Sequence, residues 1–299
     1  MAPARYRLGS LDLAVISDGS FYVDAGAVFG LIPKLMWEPL AGPLDARHRM
    51  ALGLNCLLLR SQGKLVLIET GIGDKGHARR QASPVEQGTL LSGLDGLGVR
   101  PDEVDIVINT HLHADHCGWN TRYVNGRLTT TFANAEYVVS RSEWEAAMEP
   151  NERTRATYLA DNLAPVEASG RLRLFDGETR LTDEVTLVPA PGHSAGHAAV
   201  VLASAGETAI YIGDVAQVSV QLERTAWVSA FDILPLVSME TKRSIVDRAI
   251  AEGSLIINSH GSFPGLGRMS RRDNGQRLWR TVPAAPGTGT GDAQAIDSQ

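Results

Sequence analysis

Three histidines and one aspartate crowd into six positions directly after a short apolar run. The run is Ile106–Ile108, and the crowded segment reads HLHADH over residues 111–116. His111 and His113 are two residues apart, so their side chains share one face of an extended chain end. Imidazoles and a carboxylate packed this closely are costly to bury without a partner, and a divalent cation that they ligate supplies one. The alternative is an exposed polar loop, which the core-like run before it and a total of eight histidines disfavour.

Three more candidate ligands stand where predicted apolar strands end beside glycine. They are His193 within PGHSAGH, Asp214 within IGD and His260 within NSHG. Each of them alone is better explained as a turn or capping residue. Together with the first cluster they predict a shared metal site. His197, four residues after His193, is expected to be structural, with a role behind a metal ligand as the alternative.

The composition describes a chain with enough apolar residues for a large core. Hydrophobic residues make up 43% of the 299 residues and charged residues 21%, which excludes a disordered or fibrous chain. The net charge is −6, so we expect no nucleic-acid partner, because phosphate contacts need clustered Lys and Arg. Two cysteines make no disulfide framework. We find no secretory signal and no run that spans a bilayer, so we expect a cytoplasmic protein with no membrane partner.

Turn and periodicity signals divide the chain into strands and helices. Strands are predicted over 6–8, 11–16, 55–60, 64–69, 104–109, 172–175, 185–189, 198–203, 209–212 and 255–258. Helices are predicted over 84–97, 142–165 and, with Ser238 as N-cap, from Met239 to a stop at Gly253. No linker interrupts this pattern, so residues 1–282 are predicted to form one domain. The Pro-, Gly- and Thr-containing tail 283–299 is predicted to be disordered.

Two short segments from different halves of the chain resemble each other. LVLIETG at 65–71 and AIYIGDV at 209–215 both read as a strand, an acidic residue and a turn. Each follows an earlier strand and tight turn. This repetition is the pattern expected of a sandwich built from two similar β-halves.

Large apolar residues are concentrated between residues 20 and 50, where no clear period is visible. A long irregular segment of this kind is either a wrapped core element or a pocket wall. It either covers the functional site or forms the contact of a homodimer, and both remain open. Several aromatic residues are candidates for an apolar substrate wall, with plain core packing as the alternative. They are Phe29, Trp37, Trp119 and Phe231.

The full set of candidate ligands resembles the metallo-β-lactamase superfamily. The resemblance rests on HLHADH at 111–116 followed by His193, Asp214 and His260, in that order and spacing, and it covers about residues 5–282. It implies an α+β chain folded as a four-layer αββα sandwich. It also implies a two-metal site along one edge of the sheets.

The resemblance further implies how the ligands are shared between two divalent ions. The first ion is assigned to His111, His113 and His193, the second to Asp115, His116 and His260, and Asp214 bridges them. Such ligands suit zinc first, with iron, manganese and cobalt as alternatives. A hydroxide bridging the ions, available near pH ~7, is expected to attack an ester-type carbonyl. Asp115 is the candidate to orient this nucleophile and to pass a proton to the leaving group.

Within the superfamily the chain is most similar to quorum-quenching N-acyl homoserine lactonases and their phosphotriesterase-like relatives. This closer resemblance implies a small-molecule substrate that is a lactone or related ester, most simply an N-acyl homoserine lactone. Two departures stand out, because Glu69 replaces the usual Asp and residues 215–218 offer no tyrosine where some lactonases carry one. The segments that carry the resemblance are SDG at 17–19, GLNC at 53–56, ETG at 69–71 and EW at 143–144.

Other functions on the same fold stay open. An organophosphate triesterase, a glyoxalase II-like thioesterase or a β-lactamase would use the same metals, and the last is disfavoured by the missing secretory signal. A diiron redox protein is an alternative of a different class, although such proteins typically add a flavin domain for which 299 residues leave no room. A nuclease is disfavoured by the acidic charge, and a non-catalytic binding module by the complete ligand set.

Overall fold

The structure is a computed structural model that describes residues 1–75 and 87–284. Its strands are β1 Ala4–Leu8, β2 Leu11–Asp24, β3 Arg49–Ser61, β4 Lys64–Ile68, β5 Ile106–Ile108, β6 Thr121–Val124, β7 Arg127–Thr130, β8 Glu136–Ser140, β9 Leu172–Phe175, β10 Thr179–Arg180, β11 Val185–Pro189, β12 Ala198–Ser204, β13 Glu207–Tyr211, β14 Leu255–Ile257, β15 Leu266–Arg271 and β16 Arg277–Thr281. Its helices are α1 Ala25–Phe29, α2 Lys34–Trp37, α3 Leu90–Asp95, α4 Arg141–Met148, α5 Ala160–Ala168, α6 Ser219–Glu223 and α7 Pro235–Glu252.

Within the described ranges the strands form two seven-stranded sheets and a separate hairpin, β6–β7. The first sheet has the order β1-β2-β3-β4-β5-β8-β9, and the second has the order β10-β11-β12-β13-β14-β15-β16. The first sheet is antiparallel from β1 to β4 and parallel from β4 to β9. In the second sheet the pair β13–β14 is parallel, whereas its other neighbouring strands run antiparallel.

The two sheets pack face to face around the main apolar core. Residues of the first sheet such as Leu57 and Ile68 belong to one buried cluster with Val200 and Tyr211 of the second. Alternation of side chains along each strand leaves a second apolar face on each sheet, which helices cover. Helix α3 covers the first sheet and α7 covers the second. These layers confirm the expected α+β, four-layer αββα sandwich.

The two segments that resemble each other occupy equivalent places. LVLIETG contains β4 except Lys64, AIYIGDV contains the last three residues of β13, and each of these strands is the fourth in its sheet. Each pairs antiparallel with the strand before it and parallel with the strand after it. The short similarity therefore reflects two β-halves of the same local topology.

Two helix predictions need correction. The predicted helix 142–165 is two helices, α4 and α5, because Glu149 precedes Pro150 and leaves the helical conformation. The predicted helix from Met239 begins four residues earlier, at Pro235, since proline suits the first turn. Ser238 is therefore inside α7 and is not its N-cap. The predicted stop is confirmed, because Gly253 ends α7 in the left-handed region with φ 64°.

The predicted helix 84–97 and the predicted tail 283–299 extend beyond the described residues. The described part of the former contains α3, and residues 76–86 and 285–299 lie outside the described ranges. The division into a domain of residues 1–282 and a disordered tail stays a prediction. No helix among the described residues is long and apolar enough to cross a membrane.

The segment between residues 20 and 50 has two roles. Its beginning, residues 21–24, lines the main cavity together with Arg49. Its middle contributes Phe29 and Trp37 to a buried cluster, in which their rings stack at 4.9 Å. It also leaves large apolar side chains exposed, above all Leu31. The homodimer contact expected of this segment remains a prediction.

Candidate metal centre

The structure brings all seven predicted ligand side chains together where β5, β11, β13 and β14 end. Six of them form two clusters, in each of which the candidate ligand atoms lie within 4.8 Å of one another, and a third such group, Glu69, His111 and His116, overlaps both. The first cluster is His111, His113 and His193, and the second is Asp115, His116 and His260. All of them are buried except Asp115, which is partly open to the cavity.

Asp214 stands between the two clusters. Its Oδ1 lies 3.0 Å from Nε2 of His260 and 3.2 Å from Nε2 of His116. Its Oδ2 lies 3.2 Å from Nε2 of His193, in the other cluster. Burial favours the protonated acid, but His260, His116 and His193 together hold the pKa of Asp214 well below its usual range. The carboxylate is therefore ionised and presents one oxygen to each cluster.

The outer hydrogen bonds of two histidines fix which nitrogen faces inward. Nδ1 of His193 lies 2.9 Å from Oδ1 of Asp232, and Nδ1 of His260 lies 2.8 Å from the carbonyl oxygen of Gly53. Burial lowers the pKa of both rings, but the Asp214 carboxylate raises it above the usual value, so without a metal Nε2 shares a proton with Asp214. When a metal ion replaces that proton, these acceptors keep the remaining proton on Nδ1. Both Nε2 lone pairs then point toward the carboxylate of Asp214. Lone pairs that converge on an anion need a cation between them.

His111 and His113 lead to the same conclusion. Burial and then the neighbouring imidazoles hold the pKa of both side chains well below the usual value, so both are neutral. Nε2 of His111 is buried and has no hydrogen-bond partner. Nδ1 of His113 lies 3.0 Å from Nε2 of His193. Neutral imidazole nitrogens that are unpartnered, as in His111, or face only another imidazole, as in His113, fit a divalent transition-metal ion beside the Asp214 carboxylate.

Glu69 supports the first metal-binding loop from behind. It has φ 64° at the end of β4, and its Oε1 accepts the backbone N–H of Thr110 at 2.8 Å. Its Oε2 lies 3.3 Å from Nδ1 of His116. The longer side chain thus reaches both the strand end and the histidine.

Glu143 on α4 ties the loop of residues 111–116 to the loop that carries His193. It is fully buried, and its Oε1 accepts the backbone N–H of Leu112 and the hydroxyl of Tyr158, both at 3.0 Å. Its Oε2 accepts the hydroxyl of Ser194 at 2.5 Å. The EW segment was part of the sequence pattern, but this bracing role follows only from the tertiary contacts.

A cavity of about 780 Å³ opens onto the two clusters. His113, Asp115, His193, Asp214 and His260 form its polar floor. Its walls come from several separate parts of the chain and combine apolar side chains with the charged side chains of Asp24, Arg49 and Arg153. The apolar wall residues include Phe21, Val23, Leu52, Ile72, Leu159, Phe231 and Ile233.

Of the four residues predicted to form a substrate wall, one lines the cavity, and its contact with a substrate stays a prediction. Phe231 lines the cavity, and 42% of its surface is exposed. Phe29, Trp37 and Trp119 do not line it and are at most 5% exposed. Phe29 and Trp37 pack on each other, and Trp119 packs in the core under the first sheet. The assignment of these three to the wall is therefore corrected to core packing.

Sequence reasoning missed two polar residues of the site. Asp232 supports His193, although 39 residues separate them and no spacing connects them. Gln217 is buried and lines the cavity, with Nε2 3.4 Å from Oδ2 of Asp214. Its place in the stretch 215–218, where a tyrosine is missing, was the available signal.

Residues 50–260 match the family model of the metallo-beta-lactamase superfamily. The chain belongs to this superfamily. Its ligand clusters, sandwich and parallel strand pairs are thus those of a superfamily member, and HLHADH lies inside the matched range. The expectation drawn from the sequence resemblance is confirmed at the level of family and fold.

Named relatives lie at low sequence identity. An N-acyl homoserine lactonase of Bacillus cereus is 26% identical over 159 residues, which are 49% of this chain and 57% of that protein. The chain thus spans about half the length of the curated relatives it matches. A Staphylococcus aureus protein described as a probable metal-dependent hydrolase has a TM-score of 0.82 and 24% identity, covering 93% of this chain and 99% of that one. AidC, a dizinc quorum-quenching lactonase, has a TM-score of 0.78 and 20% identity, covering 95% and 98%.

Proposed function

We propose that this superfamily member is a dinuclear metal-dependent hydrolase that opens a lactone or related ester, most simply an N-acyl homoserine lactone. The observation that carries the proposal is the position of Asp214. One carboxylate with an oxygen toward each of two ligand clusters is what a pair of bridged cations requires. A mononuclear site has no use for the second cluster.

The first ion would be held by His111, His113 and His193, the second by Asp115, His116 and His260, with Asp214 shared. Zinc suits these ligands best, and iron, manganese and cobalt also fit. Bound there, divalent ions supply Lewis acidity that makes hydroxide available near neutral pH and polarises a carbonyl oxygen. Elemental analysis of protein purified without added metal identifies the ions.

The cavity supports the choice of substrate. Its polar floor lies at the ligand clusters, while walls such as Phe21, Leu52 and Phe231 offer an apolar surface to an acyl chain. The relatives found by sequence are named N-acyl homoserine lactonases, and AidC was solved with a product, N-hexnoyl-L-homoserine. Gln217 stands in the stretch where some lactonases carry tyrosine, so its amide would contact the substrate instead.

Asp115 is the candidate to move the proton. Its Oδ2 lies 3.5 Å from Nε2 of His260 and 3.6 Å from Nε2 of His116, and the residue also lines the cavity. From this place the carboxylate accepts a proton from the attacking water and returns it to the alkoxide oxygen that leaves when the ring opens. The buried Asp214 keeps the two clusters in register during this exchange.

A substrate panel and one double variant test the proposal. We expect ring opening of acyl homoserine lactones to exceed turnover of paraoxon, S-lactoylglutathione and nitrocefin. His111→Ala combined with His113→Ala should abolish metal content and hydrolysis together. His48→Asn is the matched control, because His48 is exposed and does not line the cavity. Full hydrolysis by the double variant would exclude the mechanism.

The other functions appear as different outcomes of the same panel. Dominant turnover of paraoxon would assign an organophosphate triesterase, and dominant turnover of S-lactoylglutathione a glyoxalase II-like thioesterase. Bound iron together with oxygen reduction and no hydrolysis would assign a diiron redox protein.

A further inference from the structure

We propose that Asp232 is the positioning residue for His193 and supplies the charge that retains a cation in the cluster His111, His113 and His193. This inference rests on the proposed metal-dependent function. Asp232 is 5% exposed, and its Oδ1 lies 2.9 Å from Nδ1 of His193. A carboxylate behind a ligating imidazole fixes the tautomer and ring orientation and makes the ligand nitrogen more basic.

The second oxygen of Asp232 is also committed. Oδ2 accepts the hydroxyl of Ser238, in the first turn of α7, at 2.5 Å. Lys242, one turn further along α7, donates its ammonium to the carbonyl oxygen of Trp227. The carboxylate therefore has one oxygen on His193 and the other on the helix, which holds it in a single orientation.

Backbone contacts keep the loop of Asp232 in register with the loop of His193. The N–H of Ile233 donates to the carbonyl oxygen of His193 at 3.1 Å, and the N–H of Leu234 donates to that of Gly192 at 2.9 Å. Gly192 has φ 144°, and a Cβ there would lie 2.3 Å from Cα of Ser238. Only glycine permits this approach, so the two loops and the start of α7 form one unit.

The two clusters differ in charge without Asp232. The second cluster includes the carboxylate of Asp115, and Glu69 lies behind its His116. The first cluster consists of three imidazoles and shares Asp214, and an oxygen of Glu69 also lies within 4.8 Å of a ring nitrogen of His111, although its 3.3 Å contact is with His116. Behind His111, Nδ1 faces the neutral hydroxyl of Thr110 at 3.1 Å. Among the described groups around the first cluster, Asp232 is thus the carboxylate that matches Glu69 in the second.

The same loop also forms part of the cavity wall. Ala230, Phe231 and Ile233 line the cavity on either side of Asp232. Occupation of the first cluster should therefore stabilise a part of the wall through His193 and Asp232. This coupling is specific to the first cluster, because neither Glu69 nor Asp115 contacts this loop through a recorded hydrogen bond among the described residues.

The test titrates metal-free protein with Zn²⁺ and with Co²⁺ in competition with a chromophoric chelator. We expect Asp232→Asn to weaken the binding of one of the two ions about 10–100-fold and to leave the affinity for the other ion within threefold of the wild-type value. The visible absorption of the Co²⁺ ion bound at the weakened site should also change. Asp12→Asn is the matched control, because Asp12 is an exposed carboxylate paired with Arg7 on the far hairpin. Asp232→Ala is a more severe variant that removes the side chain. If Asp232→Ala fails to fold, Asp232→Asn, which conserves the size of the side chain, carries the test alone.

A double variant separates positioning from a general structural effect. If Asp232 acts through His193, adding Asp232→Asn to His193→Ala should change the metal affinities by less than threefold. A further loss of tenfold or more would overturn the inference, as would wild-type affinities and an unchanged Co²⁺ spectrum in Asp232→Asn. In both cases two ions still bind the wild type and the proposed function stands. A wild-type protein that binds no divalent ion would overturn both.

Discussion

His197 holds the backbone of Asp214 in place. Its Nδ1 lies 3.0 Å from the carbonyl oxygen of Ala190, and its Nε2 accepts the backbone N–H of Asp214 at 3.0 Å. Burial, followed by the nearby His193, lowers the pKa of His197 to about 3, so the ring stays neutral with a free lone pair on Nε2. A Cβ on Gly213 would lie 2.6 Å from that nitrogen. The histidine expected to be structural thus lies directly behind the carboxylate shared by both clusters.

Replacing His197 tests this contact. In His197→Ala the buried N–H of Asp214 loses its acceptor, which costs about 1–3 kcal/mol in unfolding free energy. His197→Gln supplies a carbonyl oxygen at a similar reach, so we expect it to recover at least half of the loss. Denaturant unfolding of the metal-free protein measures both variants. An alanine variant as stable as the glutamine variant would contradict the assigned bond.

Removing divalent ions should destabilise the protein. Convergent imidazole lone pairs and the Asp214 carboxylate are stabilised only in the folded, metal-bound state. Each of the two ions, when present at about 100 times its dissociation constant, contributes about 2.7 kcal/mol, and we expect chelation of both to lower Tm by roughly 5–10 °C. Differential scanning calorimetry with and without chelator measures the shift. The double variant lacking His111 and His113 should show less than half of it, and an equal shift there would place the metal elsewhere.

Replacing Phe231 by alanine should affect substrate binding, whereas replacing Phe29 by alanine should affect stability. Phe231 is half exposed on the cavity wall, so Phe231→Ala should raise KM for long-chain acyl lactones several-fold and change stability by less than about 1 kcal/mol. Phe29 is fully buried, stacked on Trp37 and edge-on to Trp227 at 5.7 Å. Phe29→Ala should therefore cost about 3–5 kcal/mol in unfolding free energy. Steady-state kinetics over an acyl-chain series and denaturant unfolding measure the two effects, and an unchanged chain-length profile in Phe231→Ala would remove Phe231 from the wall.

Asp18 should make stability depend on pH in the acid range. It is fully buried, and burial raises its pKa from 3.8 to about 6 although it accepts hydrogen bonds from Leu90, Gly73, Trp119 and Ile72. Between these pH values the folded state binds more protons than the unfolded state, so the unfolding free energy falls as pH rises. The stabilisation present below pH 3.8 is lost by about pH 6 and amounts to about 3 kcal/mol.

The measurement compares the pH dependence of unfolding in the wild type and in Asp18→Asn, both free of metal. An amide does not titrate, so the difference between the two free energies should change by about 2.4 kcal/mol from pH 4 to pH 7 in the direction that disfavours the wild type. A constant difference in unfolding free energy between the two proteins does not matter. The test is how that difference changes with pH. Parallel curves would show that the carboxyl keeps its ordinary pKa in the folded protein.

Local pattern was enough to locate the centre of the site. His111, His113, Asp115 and His116 are close in sequence, and strand geometry alone brings the first pair to one face. His193, Asp214 and His260 were found because each follows an apolar run and precedes or follows glycine. The resemblance then supplied the sandwich in which those strand ends meet. The predicted edges of α7 and of the segment 142–165 were less accurate. Pro235 starts α7 and Pro150 follows the end of α4, whereas Pro165, where the helix was predicted to stop, lies inside α5, which continues to Ala168.

Tertiary packing decided what each residue near the centre does. Phe29 and Phe231 carry the same side chain, but one is enclosed by Trp37 and Trp227 and the other faces the cavity. Asp232 reaches His193 only because two loops are joined by backbone hydrogen bonds. The sequence by itself determined the ligands, because their residue types and strand-end positions are local properties. The supporting carboxylates and the cavity wall depend on distances between remote segments, which only the folded sandwich defines.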